Sequence, residues 1–273
     1  MEHIYVRVNP LKDPKLEFAN RIVEYVLSKG KNCTLSTEMV NVPKNVDGVL
    51  VLGGDGTMLE AAKETLGQNI PLLGVNLGSM GYLTEIEREN AFDAIDCLIQ
   101  GKYVLEERMM LQGSVIRDGL EIFSGFALND IVLTRKGGLR IIHFDTCVNG
   151  QPFNGYDADG MIVSTATGST GYNMSAGGPI VEPKTKVLLM TPICPHTFHS
   201  RSIVFSGEDE IKILVNTDRT GNQQQAEVTF DAAQNMTLVT GDELLVRRAD
   251  VVTKLVKINE VSFLEALHKK MNA

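Results

Sequence analysis

Two short stretches of this 273-residue chain place glycines beside residues that could do chemistry. The first is Gly53-Gly54-Asp55-Gly56-Thr57, which follows an apolar run and precedes a helical pattern. Glycines let a ligand approach the backbone, and a helix N-terminus offers free N–H groups and partial positive charge, so the turn suits a phosphate. Asp55 would repel that phosphate unless it takes a proton from a hydroxyl or holds Mg²⁺. The alternative is an ordinary turn whose aspartate caps the helix.

The second stretch lies about a hundred residues later, where a strand pattern ends at Thr165. The run Thr167-Gly168-Ser169-Thr170-Gly171 offers backbone N–H groups and hydroxyls to an anion or a ribose, and Tyr172 offers a ring that could stack on a base. A polar loop with a core tyrosine is the alternative. Because each half of the chain has one such turn, we expect a ligand held between two domains.

Two further polar sites interrupt apolar patterns. Asn76 follows a predicted strand and is therefore expected at the same sheet edge as Asp55. Asn129 and Asp130 interrupt a strand-like run, so they need polar partners from an internal network or from a ligand. Either source is consistent with the sequence.

One cluster could suggest a metal site. Cys194, His196 and His199 lie close together, but their spacing differs from that of common zinc motifs, so structural loop histidines are the preferred interpretation. The sequence contains no Gly-x-Ser-x-Gly nucleophile motif.

The composition favours a soluble cytoplasmic protein. A net charge of −8 argues against a nucleic-acid-binding surface, although it permits a small anionic ligand. The four cysteines are widely spaced, which favours free thiols in a reducing compartment. No signal peptide pattern occurs in the first residues, and no apolar run approaches the roughly 20 residues that span a bilayer.

The pattern of elements predicts two architectures in one chain. Strands and helices alternate over residues 1–100, which favours a parallel sheet covered by helices, with ligands beyond the carboxyl ends of the strands. Residues 101–257 contain many short strand patterns, including an Asn149-Gly150 hairpin signal, and predict an all-β, sandwich-like domain. Residues 258–273 predict a helix with Ser262 as its cap.

Several motifs together resemble the NAD kinase family. They are GGDGT at 53–57, GVNLGSMGYL at 74–83, GKYVLEERMML at 101–111, ALND at 127–130, DGMIVSTATGSTGYNMSAGGPIVEP at 159–183 and TPICPH at 191–196. The first motif alone is shared with diacylglycerol and sphingosine kinases, whereas the long fifth motif is much more specific.

The resemblance implies transfer of a phosphoryl group from ATP or polyphosphate, with Mg²⁺, to the 2′-hydroxyl of the adenosine ribose of NAD. It also implies an active site between an α/β domain and a β-rich domain, a last helix that packs on the first domain, and a homodimer or homotetramer. A lipid kinase and a non-catalytic dinucleotide-binding protein are the competing functions.

The resemblance further assigns roles to residues. Asp55 becomes the catalytic carboxylate. Nucleotide-binding roles fall on Gly54, Gly56, Thr57, Asn76, Asn129, Asp130, Asp159, Thr167, Thr170, Gly171, Tyr172, Ser175 and Cys194. Two positions depart from the family pattern. Gly171 stands where alanine is usual, and Asp231 is followed by Ala232, whereas many members have glycine after this aspartate. Arg108, Lys136, Arg140 and Arg201 are candidate phosphate-binding cations, among which the sequence does not choose.

Overall fold

The protein divides into two compact units. The computed structural model describes residues 1–37, 42–43, 45–78, 81–137, 140–197, 200–258 and 262–271. The first unit comprises Met1–Arg108 and Val252–Ala273, and the second comprises Met109–Val251. The chain therefore leaves the first unit within the strand Val104–Arg117 and returns to it within the strand Glu243–Lys257.

The first unit contains a parallel sheet. Its elements before the crossing are β1 (His3–Val8), α1 (Glu17–Ser28), β2 (Asn32–Ser36), β3 (Gly48–Gly53), α2 (Asp55–Glu64), β4 (Leu72–Asn76), β5 (Ile86–Glu87) and α3 (Ala91–Gln100). The strand order is β2-β1-β3-β4, with every pair parallel. All residues of β3 and β4 are buried, as expected for strands covered on both faces. In this register Gly53 pairs with Asn76, so both strands end at one edge.

The helices α1 and α3 each bury one face. α1 contributes Phe18, Ile22 and Val26 at helical spacing, and α3 contributes Ala91, Ile95 and Leu98 in the same way. These side chains share one hydrophobic cluster with the strands β1, β3 and β4. The carboxyl edge of the sheet is thus built on a packed layer of strands and helices.

The second unit is built from antiparallel strands, of which six form a sheet of their own and the others belong to the 11-stranded sheet that also contains β1 to β4. Its elements are β6 (Val104–Arg117), β7 (Leu120–Ala127), β8 (Asp130–Arg135), β9 (Ile142–Val148), β10 (Gln151–Ala158), β11 (Gly160–Thr165), α4 (Tyr172–Ser175), β12 (Val187–Ile193), β13 (Ile203–Ser206), β14 (Ile211–Val215), β15 (Gln225–Phe230), β16 (Gln234–Val239) and β17 (Glu243–Lys257). One sheet has the order β13-β12-β11-β8-β15-β16, and the other contains β10-β9-β14-β17 with β6 and β7. Side chains from both sheets form a single hydrophobic cluster around Phe144 and Phe230.

The last helix, α5 (Phe263–Met271), belongs to the first unit. Ser262 Oγ accepts the Glu265 N–H at 3.2 Å, and the Glu265 carboxylate accepts the Ser262 N–H at 2.8 Å. This reciprocal pair is a capping box, which confirms the cap expected at Ser262. The predicted fold class, a parallel α/β part followed by an all-β part and a last helix, is also confirmed. None of the helices within the described residues is both long and apolar enough for a membrane span.

Candidate active site

Asp55 is held by backbone N–H groups from another part of the first unit. It is the first residue of α2, directly after β3, and Gly54 occupies the N-cap position. The N–H of Tyr82 donates to Asp55 Oδ2 at 2.7 Å, and the N–H of Leu83 donates to Oδ1 at 2.9 Å. Because both oxygens accept these bonds, the carboxylate has one defined orientation. The alternative in which Asp55 merely caps its own helix does not describe this geometry.

The glycines around Asp55 divide into packed and open positions. A Cβ at Gly81 would lie 1.8 Å from Asp55 Oδ1, so only glycine leaves room for the carboxylate. A Cβ at Gly54 or Gly56 would have no atom within 4 Å among the described residues. Those two positions therefore leave space for a ligand beside the N-terminus of α2.

Two other predicted residues at this sheet edge, Thr57 and Asn76, have structural partners. Thr57 is buried, and its Oγ1 accepts a hydrogen bond from Asn9 Nδ2 at 3.1 Å. Asn76 is also buried; its Nδ2 donates to Glu87 Oε2 at 3.2 Å, and its Oδ1 accepts the Gly78 N–H at 2.9 Å. Both side chains thus shape the sheet edge that carries Asp55.

In the second unit, Asp231 fixes the turn that contains Asn129 and Asp130. Its carboxylate accepts the backbone N–H groups of Leu128 at 2.7 Å, Asn129 at 2.9 Å and Asp130 at 3.1 Å. Asn129 Oδ1 is buried and has no hydrogen-bond partner among the described residues. A buried polar atom without a partner is costly, so this oxygen suits a donor from a ligand.

The environment of Asp130 favours its neutral form. Burial, with a further contribution from the nearby Asp231 carboxylate, raises the pKa of Asp130 from 3.8 to about 7. Near neutral pH this carboxyl therefore exchanges a proton readily. A ligand that donates a hydrogen bond to it would favour the ionised form.

The second glycine-rich stretch packs directly on the Asn129 turn. The carbonyl of Asn129 accepts hydrogen bonds from the Thr165 N–H at 2.9 Å and from Ser164 Oγ at 3.1 Å. A Cβ at Gly168 would lie 2.2 Å from the same carbonyl oxygen, and a Cβ at Gly171 would lie 3.3 Å from Asn129 Nδ2. Two motifs about 40 residues apart thus form one cluster.

The remaining residues of this stretch differ in accessibility. Thr167 is buried within the 3₁₀ helix Thr167–Thr170, and Thr170 is half-buried. The ring of Tyr172 is 45% exposed, and Ser175 is exposed. An exposed tyrosine is not the core tyrosine of the alternative interpretation, and its stacking on a base stays a prediction.

Asp159 follows β10 and Cys194 follows β12, and the backbone of Asp159 is hydrogen-bonded to the residue before Cys194. The N–H of Asp159 donates to the carbonyl of Ile193 at 3.0 Å, and Asp159 Oδ1 forms an ion pair with Arg135 Nε at 2.7 Å. Cys194 is exposed and has a positive φ of 45°. His199, the third candidate metal ligand, lies outside the described residues. Within the described part of the chain, no group of three or more His, Cys, Asp or Glu residues could hold a metal ion.

The candidate phosphate-binding cations fall at varied positions. Arg108 is buried and paired with Glu106 at 2.7 Å, and Lys136 donates to Thr237 Oγ1. Arg140 and Arg201 are exposed. No sequence pattern pointed to the N–H groups of Tyr82 and Leu83 as partners of Asp55. For Asp231 the one signal was its place in a family motif.

Comparison with known proteins identifies the family. Residues 28–103 match the family model described as the ATP-NAD kinase N-terminal domain, and residues 128–258 match the ATP-NAD kinase C-terminal domain. The NAD kinase of Agathobacter rectalis is 45% identical over 99% of both chains, and that of Lachnospira eligens is 39% identical over 99% of this chain and 100% of its own. The chain belongs to the NAD kinase family.

Solved structures agree with this membership. A crystal structure of an NAD kinase from Archaeoglobus fulgidus in complex with ATP matches with a TM-score of 0.83, at 25% identity over 99% of both chains. A yeast NADH kinase complexed with NADH matches with the same TM-score, at 21% identity over 100% of this chain and 88% of its own, and supports the fold. The family is one of phosphotransferases, so the resemblance found in the sequence motifs is confirmed.

Proposed function

We propose that this NAD kinase phosphorylates the 2′-hydroxyl of the adenosine ribose of NAD, with Asp55 as the general base. The bond from O2′ to the terminal phosphorus of ATP forms, the bond from that phosphorus to ADP breaks, and the hydroxyl proton passes to Asp55. The observation that carries the proposal is the carboxylate held by Tyr82 and Leu83 beside the open positions Gly54 and Gly56. Polyphosphate is the alternative donor.

The chemistry requires the arrangement found at this turn. A ribose hydroxyl is a weak nucleophile at pH 7, and a positioned carboxylate base accelerates its attack by about 10²–10⁴-fold. Phosphoryl transfer otherwise depends on positioning and on neutralisation of charge. The N-terminus of the ten-residue helix α2 supplies N–H donors and partial positive charge for this purpose.

The proposed function also includes Mg²⁺, which Asp55 would help to hold with the ATP phosphates and which would supply neutralisation of their charge. Mg²⁺ in such sites is bound by one or two carboxylates together with substrate phosphates and water, so it does not need a protein cluster of three ligands. Asp55 is a carboxylate of this kind, and each of its oxygens retains one lone pair beyond its backbone hydrogen bond. The residues present therefore fit the ion.

NAD recognition is assigned to the second-unit cluster. Asn129 and Asp130 would bind the adenosine half. Asn129 Oδ1 lacks a partner among the described residues, and the Asp130 carboxyl, whose pKa is raised to about 7, can accept a hydrogen bond from a ligand. Thr167, Thr170, Gly171, Tyr172 and Ser175 would line the adenine and ribose region, and Asp159 and the backbone at Cys194 would approach the nicotinamide end. We also propose a homo-oligomer in the cytoplasm; the free state of all four cysteines supports a reducing compartment.

Replacement of the base tests the proposal. With Asp55→Asn, the rate of NADP formation from NAD and MgATP is expected to fall by about 10²–10⁴-fold, because an amide cannot take the proton. NAD affinity, measured by titration calorimetry, is expected to change little. Asp93→Asn is the matched control, since Asp93 is an exposed aspartate in the first turn of α3, and it should retain parental turnover.

Other outcomes separate the competing functions. If the parent protein binds NAD but forms no NADP with either ATP or polyphosphate, a non-catalytic binding protein is supported. If it phosphorylates diacylglycerol or a sphingoid base and ignores NAD, a lipid kinase is supported. Parental turnover in Asp55→Asn would remove Asp55 from the reaction.

A further inference from the structure

The last helix places a lysine next to the turn that carries Asp55. Lys270 Nζ lies 3.4 Å from the centroid of the Tyr82 ring, and the backbone N–H of the same Tyr82 donates to Asp55 Oδ2 at 2.7 Å. Lys270 is half-buried, whereas Lys269 beside it is exposed. Lys270, which is 188 residues after Tyr82 in the sequence, thus contributes a cation to the neighbourhood of the Asp55 carboxylate.

The charge of Asp55 acts on both Lys270 and Tyr82. Burial lowers the pKa of Lys270, and the negative charge of Asp55 acts on it in the opposite direction. Burial raises the pKa of Tyr82, and the charge of Asp55 raises it further. The carboxylate is therefore close enough to act on both partners, and the ammonium and the phenol share its field.

The ammonium of Lys270 retains unused hydrogen-bonding capacity. In the part of the chain that the structure describes, it forms no ion pair, and its contact is with the face of the Tyr82 ring. A cation–π contact contributes about 0.5–2 kcal/mol but uses none of the three N–H donors in a conventional hydrogen bond. A partly buried cation of this kind is suited to an anionic ligand.

We propose that Lys270 binds the phosphate chain of the phosphoryl donor at Asp55, in place of the lysine that the Gly53–Thr57 turn lacks. The inference rests on the proposed function, in which donor phosphates lie beside this turn. As the terminal phosphoryl group passes to the ribose oxygen, negative charge spreads over the phosphate oxygens, and a fixed ammonium stabilises it. The Tyr82 ring holds the ammonium in position, and Asp55 remains free to take the proton.

The four cations proposed from the sequence are less suited to this role, and one of them, Arg140, is exposed. Arg108 is already paired with Glu106, and Lys136 is bonded to Thr237. Arg201 is exposed and belongs to the second unit. Lys270, in contrast, lies close to Asp55 and has N–H donors without a partner among the described residues.

Steady-state kinetics on the full chain test Lys270 directly. Lys270→Gln is expected to lower kcat/KM for MgATP at least tenfold while the KM for NAD changes less than twofold, and Lys270→Arg is expected to recover part of the loss. Lys269→Gln removes the same charge from the exposed neighbour and should stay within twofold of the parent. If kcat/KM for MgATP in Lys270→Gln also stays within twofold of the parent value, the proposal is overturned.

A binding measurement separates this proposal from the proposed function. Inorganic tripolyphosphate, titrated calorimetrically into the full chain without NAD, is expected to bind the parent and Lys269→Gln at least tenfold more tightly than Lys270→Gln. Circular dichroism melting checks that each variant is folded, and Lys270→Met, which keeps the length of the side chain, provides a second neutral variant. The role of Lys270 is overturned if the parent and the two neutral variants bind tripolyphosphate with equal affinity. It is also overturned if the parent binds no tripolyphosphate, even where the parent forms NADP. A parent that forms no NADP yet binds tripolyphosphate through Lys270 overturns the proposed function alone.

Discussion

At the scale of single residues, Asp130 combines two features that a solvated aspartate lacks. Its carboxyl is 6% exposed, and it lies near a second carboxylate, Asp231, that is itself engaged by three backbone N–H groups. The raised pKa means that the folded protein binds this proton more tightly than the unfolded chain does. The associated stability is therefore fully present below about pH 4 and is lost as pH rises through about 7.

We expect the free energy of unfolding to fall between about pH 4 and pH 7, because over this range the unfolded chain has lost the Asp130 proton and the folded protein still holds it. The rise in the pKa of Asp130 from 3.8 to about 7 corresponds to a loss of at most about 4 kcal/mol in the free energy of unfolding. Asp130→Asn, a neutral isostere, should remove this slope and unfold at higher urea concentration than the parent at pH 8. Asp250→Asn, at an exposed position in the same unit, should leave the slope unchanged. An unaltered slope in Asp130→Asn would show that other groups control this pH range.

At the scale of elements, the turn between β15 and β16 is under backbone strain. Asp231 and Ala232 both have positive φ, at 48° and 54°, and the Ala233 N–H donates to the Phe230 carbonyl at 3.0 Å. This is a type I′ turn, in which glycine is favoured at the second central position. Alanine there carries a steric cost of roughly 1–2 kcal/mol, and glycine is therefore the residue expected from conformation alone.

Ala232→Gly is expected to raise the free energy of unfolding by about 0.5–1 kcal/mol, since the relieved strain exceeds the entropy lost by an extra glycine. Ala233→Gly is the matched control. Ala233 is outside the positive-φ positions, so glycine there should be neutral or destabilising. Chemical denaturation of both variants measures the difference. Equal effects from the two substitutions would contradict the account of strain at Ala232.

The elements also show what the sequence could and could not predict. Apolar runs such as β3 and β4 were predictable because fully buried parallel strands leave a continuous pattern, and the carboxyl edge that carries Asp55 followed from their order. Local patterns did not separate β7 from β8 at Leu128-Asn129, nor did they show that β17 runs unbroken over 15 residues. Those features depend on pairing with distant strands.

Residue contacts across the chain were the least predictable part of the site. Asp55 stood out because an aspartate contradicts a phosphate-binding turn, but its partners Tyr82 and Leu83 are 27 and 28 residues away. Lys270 lies still further from Asp55 in the sequence, in the helix α5, whose local pattern predicts only an amphipathic surface helix. Such contacts are created by tertiary packing, so the spacing of residues within one segment does not predict them.

At the scale of the whole molecule, the two units differ in how the chain builds them. The second unit is one continuous segment, Met109–Val251, with its own hydrophobic cluster from both sheets. The first unit needs two segments, because the end of β17 pairs with β4 through Leu255 and Leu72, and Val256 joins its core. Glu85 binds this returning segment through Lys257 at 2.7 Å and through the Ile258 N–H at 2.7 Å.

Because of this difference, we expect the isolated segments 109–251 and 1–108 to differ in their ability to fold. The isolated segment 109–251 is expected to fold and to unfold in one cooperative thermal transition, because its cluster around Phe144 and Phe230 lies entirely within it. The segment 1–108 is expected to lack a cooperative transition, or to melt well below the full chain, because it leaves β4 without the pairing from β17 and leaves Glu85 without Lys257. Circular dichroism melting and amide NMR dispersion compare the two. A disordered 109–251 beside a well-folded 1–108 would reverse the argument, since it would place the independent core in the first segment.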